Sequence, residues 1–290
     1  MTAGEGFIDV TGGEVWYKIV GSGTATPILL LHGGPGVSSR SLEPLAKLSD
    51  ERPVIFYDQL GSGKSDRPSD LSLWKAKRFV EELSLVREAL QLKEVHLFGH
   101  SWGTMLAVDY MLTKPSGIKS LILASPCLSI SRWIQDANKL RATLPIETQD
   151  ILKKHEEAGT TDSEEYMAAT MEYYSRYLCR LDPWPPILQE VFTSFNTEVY
   201  GTMWGPSEFH ATGNLKDYDR TEELKEISVP VLFTAGRYDE ATPETTAFYR
   251  SIIPGAKLKI FENSAHMTMF EETDLYVKAI REFLRDVEND

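Results

Sequence analysis

A chain of 290 residues with 42% hydrophobic and 25% charged residues has the balance of a soluble globular protein, long enough for a large α/β core plus an insertion. Its formal net charge of −13 argues against a nucleic-acid or anionic-membrane partner. No apolar run approaches the ~20 residues of a membrane span. The stretch Met1–Gly6 has no apolar signal core, and Cys127 and Cys179 are too few to staple a scaffold, so a cytoplasmic protein is expected.

In chain order, strand-like runs alternate with helical ones over the first 125 residues. Phe7–Val10 and Glu14–Ile19 read as strands, and Thr11-Gly12-Gly13 between them is a hairpin signal that predicts an antiparallel edge. Further strands are predicted at Ile28–Leu31, Val54–Tyr57, Val95–Phe98 and Leu121–Ala124, with helical patterns around 40–48, 74–91 and 102–114. From about 127 the rhythm changes. Amphipathic stretches at 131–142, 146–157 and 163–180 lead to a break at Trp184-Pro185-Pro186 and a further helix around 187–203. Strand–helix alternation returns at 230–235, 244–252, 258–261 and 272–287. The expected organisation is an α/β core of residues 1–126 and 226–290, interrupted by an all-helical cap of 127–225.

The most informative motif is Gly99-His100-Ser101-Trp102-Gly103, because an apolar strand precedes it and a helical pattern follows. Strand, G-x-S-x-G and helix together make a nucleophile elbow, in which glycines permit a turn tight enough to lift the serine above the sheet. A serine hydroxyl needs a base, and the base needs an orienting acid. In the α/β-hydrolase order, both follow the serine. His96 and His100 lie inside the strand and the elbow, and His32 precedes the serine in a loop. His155 sits in the charged helical run Lys153–Glu157, which reads as a solvated face, and His210 follows no evident strand. His266 follows the predicted strand at 258–261, at the carboxyl end where ligands bind in open α/β sheets, and is the candidate base. The loop Arg237-Tyr238-Asp239-Glu240 follows the preceding strand. It offers Asp239 as the acid, with Glu240 as the alternative.

An oxyanion needs two donors. One is the backbone N–H of Trp102, beside the nucleophile. The other should come from the loop His32-Gly33-Gly34-Pro35-Gly36 after an early strand, and Gly34 is the candidate. Gly61-Ser62-Gly63-Lys64-Ser65 lacks the first glycine of a phosphate loop and reads as a turn. No metal-ligand cluster or cofactor motif is evident. Cap aromatics, among them Trp133, Tyr173, Tyr174, Tyr177, Trp184, Tyr200, Trp204 and Phe209, are candidates to pack the lid or line a pocket, and helical spacing does not separate the two. Trp102 is the favoured pocket residue because the elbow fixes its position.

The runs His32–Gly36, Tyr57-Asp58-Gln59-Leu60-Gly61-Ser62-Gly63-Lys64-Ser65 and Gly99–Gly103 resemble the proline iminopeptidase family of α/β-hydrolases over nearly the whole chain. The middle section, through Trp184-Pro185-Pro186 and Gly205-Pro206-Ser207-Glu208-Phe209, is most similar to the tricorn-interacting aminopeptidase branch. L-amino acid amidases, including prolinamide hydrolases, share the motifs. The resemblance implies that acidic side chains near the cap hold the substrate's free α-amine, and Glu208 and Glu240 match those positions. A buried ammonium needs such carboxylates to offset its lost hydration. The expected activity is release of an N-terminal proline or small apolar residue from short peptides or amides through an acyl-enzyme, without a cofactor. An amino acid amidase, a carboxylesterase and a hydrolase-fold small-molecule receptor are the alternatives.

Overall fold

The computed structural model describes residues 2–289. Its eight-stranded sheet has the order β1-β2-β4-β3-β5-β6-β7-β8. The strands are β1 Gly4–Val10, β2 Gly13–Val20, β3 Ile28–Leu31, β4 Val54–Tyr57, β5 Val95–His100, β6 Ile118–Ala124, β7 Val231–Gly236 and β8 Lys257–Phe261. β1 pairs with β2 antiparallel, as the Thr11-Gly12-Gly13 turn predicts, and β2 with β4 likewise. From β4 through β8 all pairings are parallel.

Parallel strands buried on both faces are built mostly of apolar residues, and the central strands follow this, with buried His96 of β5 bonded to Ser120 of β6 at 2.7 Å. Leu29 and Leu31 of β3, Leu97 of β5 and Leu121 and Leu123 of β6 pack on one face. There they meet α1 (Ala76–Ala89), α2 (Trp102–Leu112) and α8 (Pro243–Ile252), through Phe79, Met105 and Tyr249. The alternate residues Ile28, Leu30, Phe98 and Ile122 pack on the other face, against Leu42, Leu45 and Leu48, the one-turn helix α9 (Thr268–Glu271) and the C-terminal helix α10 (Thr273–Asn289). The segment Ser39–Asp50 is a 3₁₀ helix; Pro44 inside it lacks the N–H that an α-helix would use.

Between β6 and β7 lie α3 (Ile130–Arg141), α4 (Ile146–Ala158), α5 (Glu164–Tyr177), α6 (Pro186–Ser194) and α7 (Thr197–Met203). Among the described residues this stretch adds no strand to the sheet, only isolated bridges such as Ser129 with Asp219 near its two ends. Ala137, Leu144, Leu152, Tyr166, Tyr173 and Phe209 form a small core of its own. The helix expected over 187–203 is two helices. Asn196 breaks it by capping α7, its side chain accepting from the N–H groups of Glu198 (3.1 Å) and Val199 (3.3 Å). Its backbone N–H donates to the Gly36 carbonyl at 3.0 Å, so the break docks the helices on the glycine loop after β3. His155 also departs from expectation. It is buried, with ring nitrogens 2.7 Å from Thr160 Oγ1 and 2.8 Å from Glu165 Oε2, because the α4–α5 corner folds over it.

Candidate active site

The elbow joins β5 to α2. Ser101 has φ 54° and ψ −122°, a conformation that costs a non-glycine residue about 1–3 kcal/mol. The flanking glycines permit it. A Cβ on Gly99 would stand 2.3 Å from the Gly103 carbonyl oxygen, and one on Gly103 would stand 2.1 Å from that of Leu31. The chain therefore turns directly from strand into helix against its neighbour strand. Backbone bonds hold the turn: Ser101 N–H donates to the Ala124 carbonyl at 3.0 Å, and Thr104 N–H to that of Ser101 at 2.8 Å.

The loops after β7 and β8 bring Asp239 and His266 together, with Asp239 Oδ1 2.7 Å from His266 Nδ1. A carboxylate only accepts, so Nδ1 carries the proton and Nε2 is left basic. Asp239 is itself fixed, accepting from the N–H of Ala241 at 2.8 Å and of Gly236 at 3.3 Å. Glu240, the alternative acid, lies 4.0 Å from the same nitrogen, outside hydrogen-bond reach. The His266 backbone carbonyl accepts from His100 Nε2 at 3.0 Å and from Ser125 Oγ at 3.2 Å. His100 is therefore a strut between elbow and base loop, and burial, with the neighbouring His266 second, lowers its pKa to about 3. Ser101 and His266 face one cavity, which Glu208 also lines. Among the described residues no hydrogen bond yet joins their side chains, a looseness common before substrate binds.

Gly34 lines this cavity with φ 109°, and a Cβ on Gly33 would come within 3.1 Å of Ser101 Cβ. The glycine loop is thus pressed onto the serine. At the start of α2 the Trp102 N–H lies among the first helical amides, which have no partner within the helix. Its indole does not line the pocket, contrary to expectation. It packs edge-on against Phe79, ring centroids 5.6 Å apart, and donates to Gln59 Oε1 at 2.8 Å. In the sequence Gln59 is one member of the run Tyr57–Ser65, with nothing to mark a role of its own. Its Nε2 donates to the His32 carbonyl at 3.1 Å and its backbone N–H to His32 Nε2 at 3.0 Å. One glutamine side chain therefore ties the glycine loop to the elbow helix.

Glu240 is buried at the cap end of the site, and Glu208 lies half-buried beside the same cavity. Burial pushes the Glu208 carboxyl above its ordinary range, partly opposed by the Tyr200 hydroxyl, which donates to Oε1 at 2.6 Å, and by His266. Burial pushes Glu240 up much further, reinforced by Glu208 and Asp239. Neither Glu240 oxygen makes a hydrogen bond of normal geometry, and the nearby Tyr173 hydroxyl opposes the upward shift only in part. Two indoles fix the segment carrying Glu208: Trp133 Nε1 donates to its carbonyl at 2.7 Å, and Trp204 Nε1 to that of Ser207 at 3.0 Å. The Trp133 ring also meets the His266 ring edge-on at 5.9 Å. Trp133 and Trp204 were legible only as cap aromatics, without direction. A buried carboxyl beside a half-buried one, with a single tyrosine hydroxyl bonded to the latter, suits an incoming cation. Among the described residues no group of three or more His, Cys, Asp and Glu could hold a metal, and no helix is long and apolar enough to cross a membrane.

Residues 26–273 match the α/β-hydrolase fold family. The chain is 52% identical over 285 residues to a proline iminopeptidase of Heyndrickxia coagulans, covering 98% of this chain and 99% of that one. The crystal structure of a proline iminopeptidase from Mycobacterium smegmatis superposes with a TM-score of 0.90 at 34% identity, covering 98% of each chain. The crystal structure of VinJ superposes with a TM-score of 0.95 at 34% identity, covering 98% of this chain and 99% of that one. The chain belongs to the α/β-hydrolase fold family and, within it, to the proline iminopeptidases.

Proposed function

We propose that this chain is a serine hydrolase that releases an N-terminal proline or small apolar residue from short peptides and amino acid amides. The observation that carries this reading is the single cavity shared by Ser101, His266 and Glu208, with the carboxyl of Glu240 buried in the same region. Residues 1–126 and 226–290 serve as the catalytic core and 127–225 as the cap that excludes water from the acyl site. Cys127 and Cys179 are unpaired and buried, in keeping with a reducing cytoplasm.

In this mechanism Glu208 and Glu240 receive the substrate ammonium and set the carbonyl over Ser101. Ser101 Oγ attacks as His266 Nε2 takes its proton, and Asp239 stabilises the imidazolium. The N–H groups of Gly34 and Trp102 hold the oxyanion. Collapse breaks the C–N bond, and His266 returns the proton to the leaving amine. Water, activated by His266, then hydrolyses the acyl-enzyme. No step calls on a cofactor.

Proline p-nitroanilide and its N-acetyl form test this reading. The free amine is expected to be cleaved and the blocked compound spared, with turnover lost in Ser101→Ala while the circular dichroism spectrum is kept. Activity retained in Ser101→Ala, or equal cleavage of both substrates, would refute it.

A further inference from the structure

An N–H points into a cavity only if the whole peptide plane that carries it is held that way round. The Gly34 N–H belongs to the Gly33–Gly34 peptide, which is trans, so it points opposite to the Gly33 carbonyl. A glycine stands on each side of that plane, and Gly34 has φ 109°. Such a peptide meets little steric resistance to turning over, and once turned it would offer the cavity an acceptor in place of a donor. Oxyanion stabilisation depends on donors fixed before the reaction, so the Gly33 carbonyl has to be held.

The buried ring of His32 holds it. The Gln59 backbone N–H lies 3.0 Å from His32 Nε2; a backbone N–H only donates, so Nε2 is the unprotonated nitrogen. In a neutral imidazole the proton is then on Nδ1, which stands 2.9 Å from the Gly33 carbonyl oxygen and donates to it. Burial keeps the ring neutral by lowering its pKa, opposed in part by Asp58 and by the Gly33 bond. Gly33 and Gly34 line the cavity beside Ser101, whereas the fully buried His32 lies behind them against Gln59. The bond therefore draws the carbonyl away from the cavity and turns the Gly34 N–H towards it.

We propose that His32 is the positioning residue of the oxyanion hole: its Nδ1–H locks the Gly33–Gly34 peptide with the Gly34 N–H facing the substrate carbonyl oxygen. It acts through that peptide alone and takes no proton from the reaction. The proposal rests on the reading of Gly34 as an oxyanion donor.

Two amide side chains separate the roles of the two ring nitrogens. Asparagine places an N–H donor near the position of Nδ1, and glutamine places an acceptor near that of Nε2. His32→Asn keeps the bond to Gly33 and gives up the one from Gln59; His32→Gln does the reverse. Each leaves one buried polar group without its partner, so a merely structural role predicts equal losses. With proline p-nitroanilide, kcat is expected to fall roughly 10–100-fold in His32→Gln and roughly threefold or less in His32→Asn, with KM within about twofold in both. The wild type supplies a second readout that needs no variant: imidazole nitrogen NMR should show His32 as the Nδ1–H tautomer at pH 7. An Nε2–H tautomer would overturn the lock itself, as would a loss in His32→Gln confined to KM. Equal kcat in the two variants beside an Nδ1–H tautomer would instead overturn Gly34 as a donor, and the proposal with it.

Discussion

Replacing Glu240 with glutamine should make the protein more stable and less active, and the two effects have one cause. Glu240 is buried, and burial, Glu208 and Asp239 raise its pKa well above 4.5, opposed only in part by the Tyr173 hydroxyl. An acid whose folded pKa is raised contributes nothing unfavourable below its unfolded pKa and destabilises progressively as pH rises towards the folded one. The cost grows by about 1.36 kcal/mol for each pH unit above the unfolded value through which the folded group keeps its proton. Glutamine has nearly the same shape and carries no such cost, although its amide inherits the poorly bonded site. A net gain of about 1–3 kcal/mol at pH 7 is expected, or a Tm higher by several degrees. The gain should vanish near pH 4, where the unfolded carboxyl is protonated as well. Thermal unfolding of wild type and Glu240→Gln at pH 4 and pH 7, with kcat/KM for proline p-nitroanilide on the same samples, measures both. A variant less stable than wild type at pH 7, or equally active, would refute the reasoning.

Two further outcomes follow, one at the site and one away from it. Trp133→Phe keeps a ring against His266 but removes the indole N–H that holds the Glu208 carbonyl; KM for proline p-nitroanilide should rise about 5–10-fold, the worth of one hydrogen bond. A phenyl ester without an amine should change much less, and steady-state kinetics on the two substrates would expose an equal effect on both. Far from the site, Glu288 on α10 accepts from Arg52 at 2.7 Å and lies 3.2 Å from His96. Burial would raise its pKa, but hydrogen bonds from Arg52 and His96 prevail and bring it down to about 2. A depressed carboxylate contributes stability above its unfolded pKa that is lost as pH falls through the folded one. Glu288→Gln should therefore cost about 1–2 kcal/mol at pH 7, discounted for partial exposure, with the difference closing between pH 4.5 and 2 in denaturant titrations.

The scaffold was legible because its signals are local. Ile28–Leu31 and Val54–Tyr57 are uninterrupted apolar runs bounded by turns, and the structure keeps both ranges unchanged. Ser101, Asp239 and His266 each follow a strand-like run, interrupted by His96 before the serine and by Lys259 before the histidine, and chain order sets all three at one end of the sheet. The cap was less legible because helical periodicity encodes which face is buried and not what it faces. Trp102 reads as a pocket residue from its place beside Ser101, yet its indole turns inward to Gln59, an acceptor 43 residues away. Trp133 and Trp204 carry no sequence mark separating an indole that fills space from one that fixes a carboxylate. Asn196 hides a helix boundary inside an apolar pattern, and His155 is buried only because the next helix folds over it.

The central claim is that a carboxylate pair selects a free amine at a serine hydrolase centre. Its most direct test is the ratio of kcat/KM for free over N-acetylated proline p-nitroanilide, in wild type and Glu208→Gln. Glutamine can still accept from Tyr200, so the cavity keeps its shape while one charge is removed. At an effective dielectric of about 20, a carboxylate some 4 Å from an ammonium contributes up to about 4 kcal/mol, so the ratio is expected to fall by about 10²–10³. A ratio left unchanged by Glu208→Gln would remove Glu208 from the amine site and contradict the account.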